Sequence, residues 1–129
     1  MFSFEKLEVY NKAYHANQQV YRFLKNDRNI PFYVKNQLGK ACLSIILNIA
    51  EGSAKFGKKD RRNFYVIARG SAFECSALLS FLYNEGEVEI DLKNELTNSF
   101  EEISKMLYGM IKNNHKHIRS RSRCRSILF

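Results

Sequence analysis

Ser44, Asn48 and Glu51 follow one another at steps of four and three, and Ser71 and Glu74 set a second hydroxyl and carboxylate three residues apart. On helices these spacings bring each set onto one face. Two such faces turned toward each other hold the groups of an acid–base site, with a carboxylate to take a proton and a hydroxyl or amide to orient the reacting group. The same groups also make an interhelical hydrogen-bond network, because buried polar atoms need partners and a satisfied network fixes register. Small neighbours such as Ala50 and Gly70 suit close helix packing. Ser44, Asn48, Glu51, Ser71 and Glu74 are therefore expected to be a structural polar network, with no catalytic residue among them.

A second set is cationic. Lys55, Lys58, Lys59, Arg61 and Arg62 crowd one loop and the helix start that follows it, while Lys116, Arg119, Arg121, Arg123 and Arg125 stud the C-terminal end. Such clusters neutralise phosphate backbones and release counterions without reading sequence, so these ten residues are the expected nucleic-acid contacts. Positive charge at a helix N-terminus also runs against the macrodipole. Arg119, Arg121, Arg123 and Arg125 alternate with Ser120, Ser122, Cys124 and Ser126. An extended backbone would set all four guanidinium groups on one side and a helix would scatter them; a solvated tail is the alternative. Few aromatics accompany the loop cluster apart from Phe56, Phe64 and Tyr65, which favours backbone contact over base stacking.

Other chemistries lack their residues. The three histidines, His15, His115 and His117, form no Glu-x-x-His pair of the kind a di-iron bundle needs. With Cys124, the last two offer at most three metal ligands, so no metal and no cofactor is expected. Gly52 to Lys59 lacks the strand and the Gly-Lys-Ser/Thr ending of a phosphate-binding loop. Cys42 and Cys75 fall on apolar seams, and an odd cysteine count argues against a disulfide framework.

Helices must position these groups. One proline and six glycines in 129 residues, with 45% hydrophobic residues, suit a single helical domain. Leu7, Tyr10, Tyr14, Asn17, Tyr21 and Leu24 predict a first helix over residues 4–25, with Asn17 its one polar step. Leu38, Cys42, Ile45 and Ile49 predict a second over residues 33–51, which Gly52 can end. After a loop at residues 53–59, Phe64, Ala68, Ser71, Cys75, Leu78 and Leu82 predict a third, up to Gly86. Leu96, Phe100, Ile103, Leu107 and Met110 predict a fourth, with Asp91 as its cap. Short connections make the expected fold an all-α, antiparallel up-down four-helix bundle over residues 1–113, followed by a basic tail over 114–129. No apolar run is long enough to span a bilayer and no signal peptide precedes the first helix, so a cytoplasmic protein is expected.

Charge is unevenly spread. Formal net charge is +8; six of the 21 Lys and Arg lie from Lys112 onward with no acid among them, so the preceding residues hold 15 cations against 13 acids. Glu85, Glu87, Glu89 and Asp91 surround the loop before the fourth helix, and an antiparallel bundle places that loop opposite the basic one. One basic and one acidic end are expected. Ile127, Leu128 and Phe129 form an apolar stub suited to docking on the bundle or on another protein.

Phe4-Glu5-Lys6-Leu7-Glu8-Val9-Tyr10, Gln37-Leu38 with Ala41-x-x-Ser44-Ile45-x-x-Asn48-Ile49-Ala50-Glu51-Gly52, and Ala68-Arg69-Gly70-Ser71-x-x-Glu74 appear in order along the chain. These runs resemble the bacterial four-helix-bundle family first noticed as proteins encoded in intervening sequences of large-subunit (23S) rRNA genes. Two positions depart from the family pattern: Ile46 stands where proline is usual, and Lys40 where arginine is usual. The resemblance implies a ring-shaped homopentamer. A more distant resemblance, to the accessory variability proteins of diversity-generating retroelements, implies a partner reverse transcriptase.

Together these features lead to the expectation of a non-catalytic, oligomeric accessory protein that contacts RNA or DNA backbone through basic patches. The alternative is a protein-interaction scaffold of bundle subunits without nucleic-acid binding.

Overall fold

The structure, a computed structural model, describes residues 2–27 and 29–122, with side chains of the last helix described to Asn114. A short 3-10 turn at Ser3–Lys6 leads into α1 (Glu8–Asn26), α2 (Phe32–Ser53), α3 (Lys58–Asn84) and α4 (Ile90–Ser122), joined by links of four or five residues. Local chemistry sets the breaks. Asp27 Oδ1 accepts the N–H groups of Asn29 and Ile30 at 2.8 and 3.1 Å, Lys35 Nζ donates to the Asp27 carbonyl, and Pro31 then precedes α2. Gly86, at φ 78°, lets the Glu87 N–H reach back to the Leu82 carbonyl at 2.9 Å and close α3.

Pairs across the seams establish the topology. Asn17 meets Cys42 and Leu24 lies beside Gly39, so α1 runs against α2. Cys42 meets Cys75, Ser44 meets Ser71 and Gly52 meets Tyr65, so α2 runs against α3. Arg69 lies over Tyr108 and Lys93 over Tyr83, reversing α4 against α3. Lys12 and Gln19 pair with Glu102 and Glu95, closing α4 against α1. The fold is an antiparallel four-helix bundle. Its centre is lined by Leu38, Ile45, Ile49, Leu79, Leu82, Leu96, Phe100, Ile103, Leu107 and Ile111, all buried. Each such side chain contributes roughly 1.5–3 kcal/mol through burial.

The expected seams of α2 and α4 are the observed ones, with Ile111 in the core and Met110 half-buried beside it. That of α1 is rotated, and that of α3 differs only at its two large residues Phe64 and Leu78. In α1 the buried residues are Val9, Ala13, Ala16 and Val20, while Tyr14 and Tyr21 are 47% and 61% exposed. Val and Ala give α1 a narrow core face, and the tyrosines stay at the flank where their hydroxyls reach water. In α3 the expected Ala68, Ser71, Cys75 and Leu82 are buried and are joined by Tyr65, Ala72 and Leu79, while Phe64 and Leu78 are half-buried at the edge. Three further details differ. Gly52 does not end α2, which continues to Ser53 and closes on Ala54 in right-handed geometry. The third helix begins at Lys58, inside the expected loop. Asp91 lies in the first turn of α4 rather than capping it, where its charge suits the helix dipole.

Candidate functional site

The polar set on α2 and α3 divides in two. The hydroxyls of Ser44 and Ser71 lie 2.8 Å apart, and Asn48 Nδ2 donates to Ser44 Oγ at 3.0 Å and to the Ser44 carbonyl at 2.8 Å. Ser71 is buried and the other two are half-buried, so the triplet is a satisfied bridge between helices. Glu51 and Glu74 do not join it; both are exposed. A carboxylate on the α2–α3 face gains more from water than from a place in this narrow seam. With the carboxylates outside and the hydroxyls inside, no acid–base pair converges on a common point.

One turn away, the Cys42 and Cys75 sulfurs are 3.6 Å apart and both residues are buried. The hydrogen bond to Cys42, reinforced by burial, pushes the Cys75 thiol well above the usual cysteine range, so it stays protonated and packs as a small apolar group. Asn17, the polar step of α1, donates to the Cys42 carbonyl at 2.5 Å. It ties α1 to the same level of α2.

The basic cluster stands at one end. Residues 54–57 link α2 to α3, and Lys58 and Lys59 open α3, so Lys55, Lys58, Lys59, Arg61 and Arg62 surround a single corner. Antiparallel packing brings Lys112 of α4 to this end, one turn beyond the Tyr108 ring that lies 5.5 Å from the Arg69 guanidinium. Arg69 also lies 4.7 Å from the Phe73 ring, and Lys55 Nζ 5.2 Å from that of Phe64. Among the described residues, Lys55, Lys58, Lys59 and Arg61 form no ion pair. Arg61 Nε and Arg69 Nε are buried without a hydrogen-bond partner. Glu51 and Asp60 are the nearest acids in sequence, and Asp60 in the first turn of α3 partly offsets the lysines there. Glu85, Glu87, Glu89 and Asp91 gather at the far end of α3, about 40 Å away at 1.5 Å per residue.

Lys116, Arg119 and Arg121 lie on the helical backbone of α4, so the extended option does not hold at Arg119 and Arg121. Their side chains, and Arg123, Cys124, Arg125 and the Ile127-Leu128-Phe129 stub, lie outside the described residues. Among the described residues no cluster of His, Cys, Asp or Glu has the makings of a metal site, and no helix is long and apolar enough to cross a membrane.

Two features go beyond the sequence reading: an outward apolar stripe on α3, and the full exposure of Phe56. Val66, Gly70, Phe73, Ala77 and Phe81 form an outward stripe on α3; Phe73 and Phe81 are 55% and 49% exposed. Its spacing of four, three, four and four was available as a signal, masked by the stronger core seam beside it. Phe56, in the basic corner, is 100% exposed.

Residues 5–109 match the family model described as 23S rRNA-intervening sequence protein. A crystal structure of a protein of unknown function from the S23 ribosomal protein family of Bacteroides thetaiotaomicron is similar at 26% identity, with a TM-score of 0.75. The likeness covers 81% of this chain and 98% of that one. No curated protein matches the chain. The matched family is the intervening-sequence branch of the resemblance; the retroelement branch, and with it a reverse-transcriptase partner, is not supported.

Proposed function

The chain belongs to the 23S rRNA-intervening sequence protein family, and from that premise we propose that it is a non-catalytic, self-associating accessory protein that binds RNA or DNA backbone through its basic end. The observation that carries the reading is the corner of Lys55, Lys58, Lys59 and Arg61, gathered on one end without carboxylate partners while the acidic loop stands at the other. Cations held this way draw a polyanion and leave its sequence unread. The separation of Glu51 and Glu74 from the serine–asparagine bridge supports the non-catalytic part.

Titration with duplex and hairpin nucleic acids at rising salt tests it. Affinity should fall log-linearly with salt, and changing Lys55, Lys58 and Lys59 together to Gln should flatten that slope by about two to three. Binding that is absent at low salt, or indifferent to salt, rejects the proposal.

Self-association has its own support in the outward stripe of α3, where Gly70 and Ala77 leave room on either side of Phe73 for a second surface to approach. A homopentamer is the assembly the resemblance implies, and a ring would repeat the basic corner and raise avidity. Light scattering of the chain and of Phe73→Asp reads the assembly. The same stripe favours the second reading, a scaffold that binds another protein; a partner retained after nuclease treatment would select it.

A further inference from the structure

Phe56 occupies the link between α2 and α3 and is wholly exposed, as no other large apolar side chain of the described residues is. A phenyl ring left entirely in water forgoes the burial that drives folding, and here the bare ring sits among the lysines of the corner. The link does not leave the ring free to tuck away. On one side the Ala54 and Lys55 N–H groups donate to the Glu51 and Gly52 carbonyls, and Gly52 is packed against the Tyr65 ring. On the other, the Arg61 N–H donates to the Gly57 carbonyl at the start of α3. Among the described residues Phe56 makes no ring contact and no cation–π contact, while Lys55 is turned onto Phe64. Lys58 and Lys59 follow immediately.

A free aromatic face flanked by cations fits a partner that offers flat rings and negative charge at alternating positions. Unpaired nucleic acid is that partner: bases stack on the ring and phosphates lie against the lysines. An intact duplex hides its base faces in its own stack and would leave Phe56 idle. An anionic lipid surface would also take an aromatic tip among lysines, but a single ring on a four-residue link is a shallow anchor.

We infer that Phe56 is a base-stacking residue and that the basic end prefers single strands, or the unpaired loop of a hairpin, to intact duplex. The inference rests on the nucleic-acid reading above and names its substrate class. It also replaces the expectation of backbone contact alone.

The chain contains no tryptophan, so Phe56→Trp supplies a single reporter at the tip. The whole chain, as wild type, Phe56→Trp and Phe56→Ala, is titrated with a 12-nucleotide single-stranded RNA, a hairpin carrying an unpaired loop, a blunt duplex and phosphatidylglycerol vesicles. Single strand and hairpin should quench the tryptophan and the duplex should not. Phe56→Ala should lose roughly tenfold in single-strand affinity, with duplex affinity changed less than twofold. Because the ring contacts nothing in the fold, thermal melting should be unchanged. Equal losses on strand and duplex, or no loss on either, overturn stacking while salt-sensitive binding keeps the basic-end reading. No binding to any nucleic acid at low salt overturns both. A blue shift on vesicles without quenching by strands assigns the tip to a lipid surface and overturns the inference.

Discussion

The seam between α2 and α3 and the seam between α1 and α2 share a helix but are built in opposite ways. At Gly52 a side chain's first carbon would fall 2.7 Å from the Tyr65 ring and 3.1 Å from Phe64 Cβ, so α2 and α3 touch almost backbone to ring. The same seam holds the serine bridge and the paired thiols. At Gly39, on the α1 side, the nearest atom to such a carbon is Leu24 Cδ1 at 3.8 Å, and exposed Tyr14, Tyr21 and Leu43 line an open groove. Asn17 reaches across it to the Cys42 carbonyl. Close contact therefore sets the register of one seam, and a single polar tie marks that of the other.

Identical substitutions should separate the two. Gly52→Ala forces Tyr65 to move and should cost about 1–3 kcal/mol in denaturant unfolding, whereas Gly39→Ala meets an ordinary contact and should gain up to about 1 kcal/mol from helix propensity. Equal effects would dissolve the contrast. Next in size is the tie itself: Asn17→Ala should cost about 1 kcal/mol. Ile46→Pro removes the N–H that would serve the Cys42 carbonyl four residues back, which Asn17 already engages. It should therefore cost less than the roughly 3 kcal/mol of an interior proline, and more once Asn17 is alanine; additive costs would show that the tie is unused.

The smallest effect concerns α1 and α4. The hydrogen bond between Lys12 and Glu102, with their mutual attraction, raises the Lys12 pKa and lowers that of Glu102. The Glu102 contribution is complete above the ordinary carboxylate range and is lost as pH falls through its depressed value. That of Lys12 is complete below the ordinary lysine range and is lost as pH rises through its raised value. Both groups face solvent, so Glu102→Gln should lower the plateau between those two limits only slightly, with wild type and variant converging at acid and at alkaline pH, and with a smaller difference in high salt.

How much the sequence revealed follows the same contrast. On α2 the large residues Leu38, Ile45 and Ile49 sit on the core face, and periodicity found them. On α1 the large residues are the flanking tyrosines and the core face is Val and Ala, so a search weighted toward bulk chose the wrong stripe. Ser44, Asn48 and Ser71 were legible as a bridge from helical spacing, but spacing alone does not reveal that Glu51 and Glu74 turn outward. The charge split between loops was legible because antiparallel order follows from short links. The exposure of Phe56 was not, since nothing local distinguishes a docked loop aromatic from a bare one.

The gathering of cations at the α2–α3 corner has a consequence before any contact is made. A local patch of one sign attracts an approaching polyanion across about a Debye length, which favours the lysine corner as the first point of contact. Productive collisions then become more frequent than random tumbling allows. Added salt should erase that advantage in the association rate and leave dissociation much less affected.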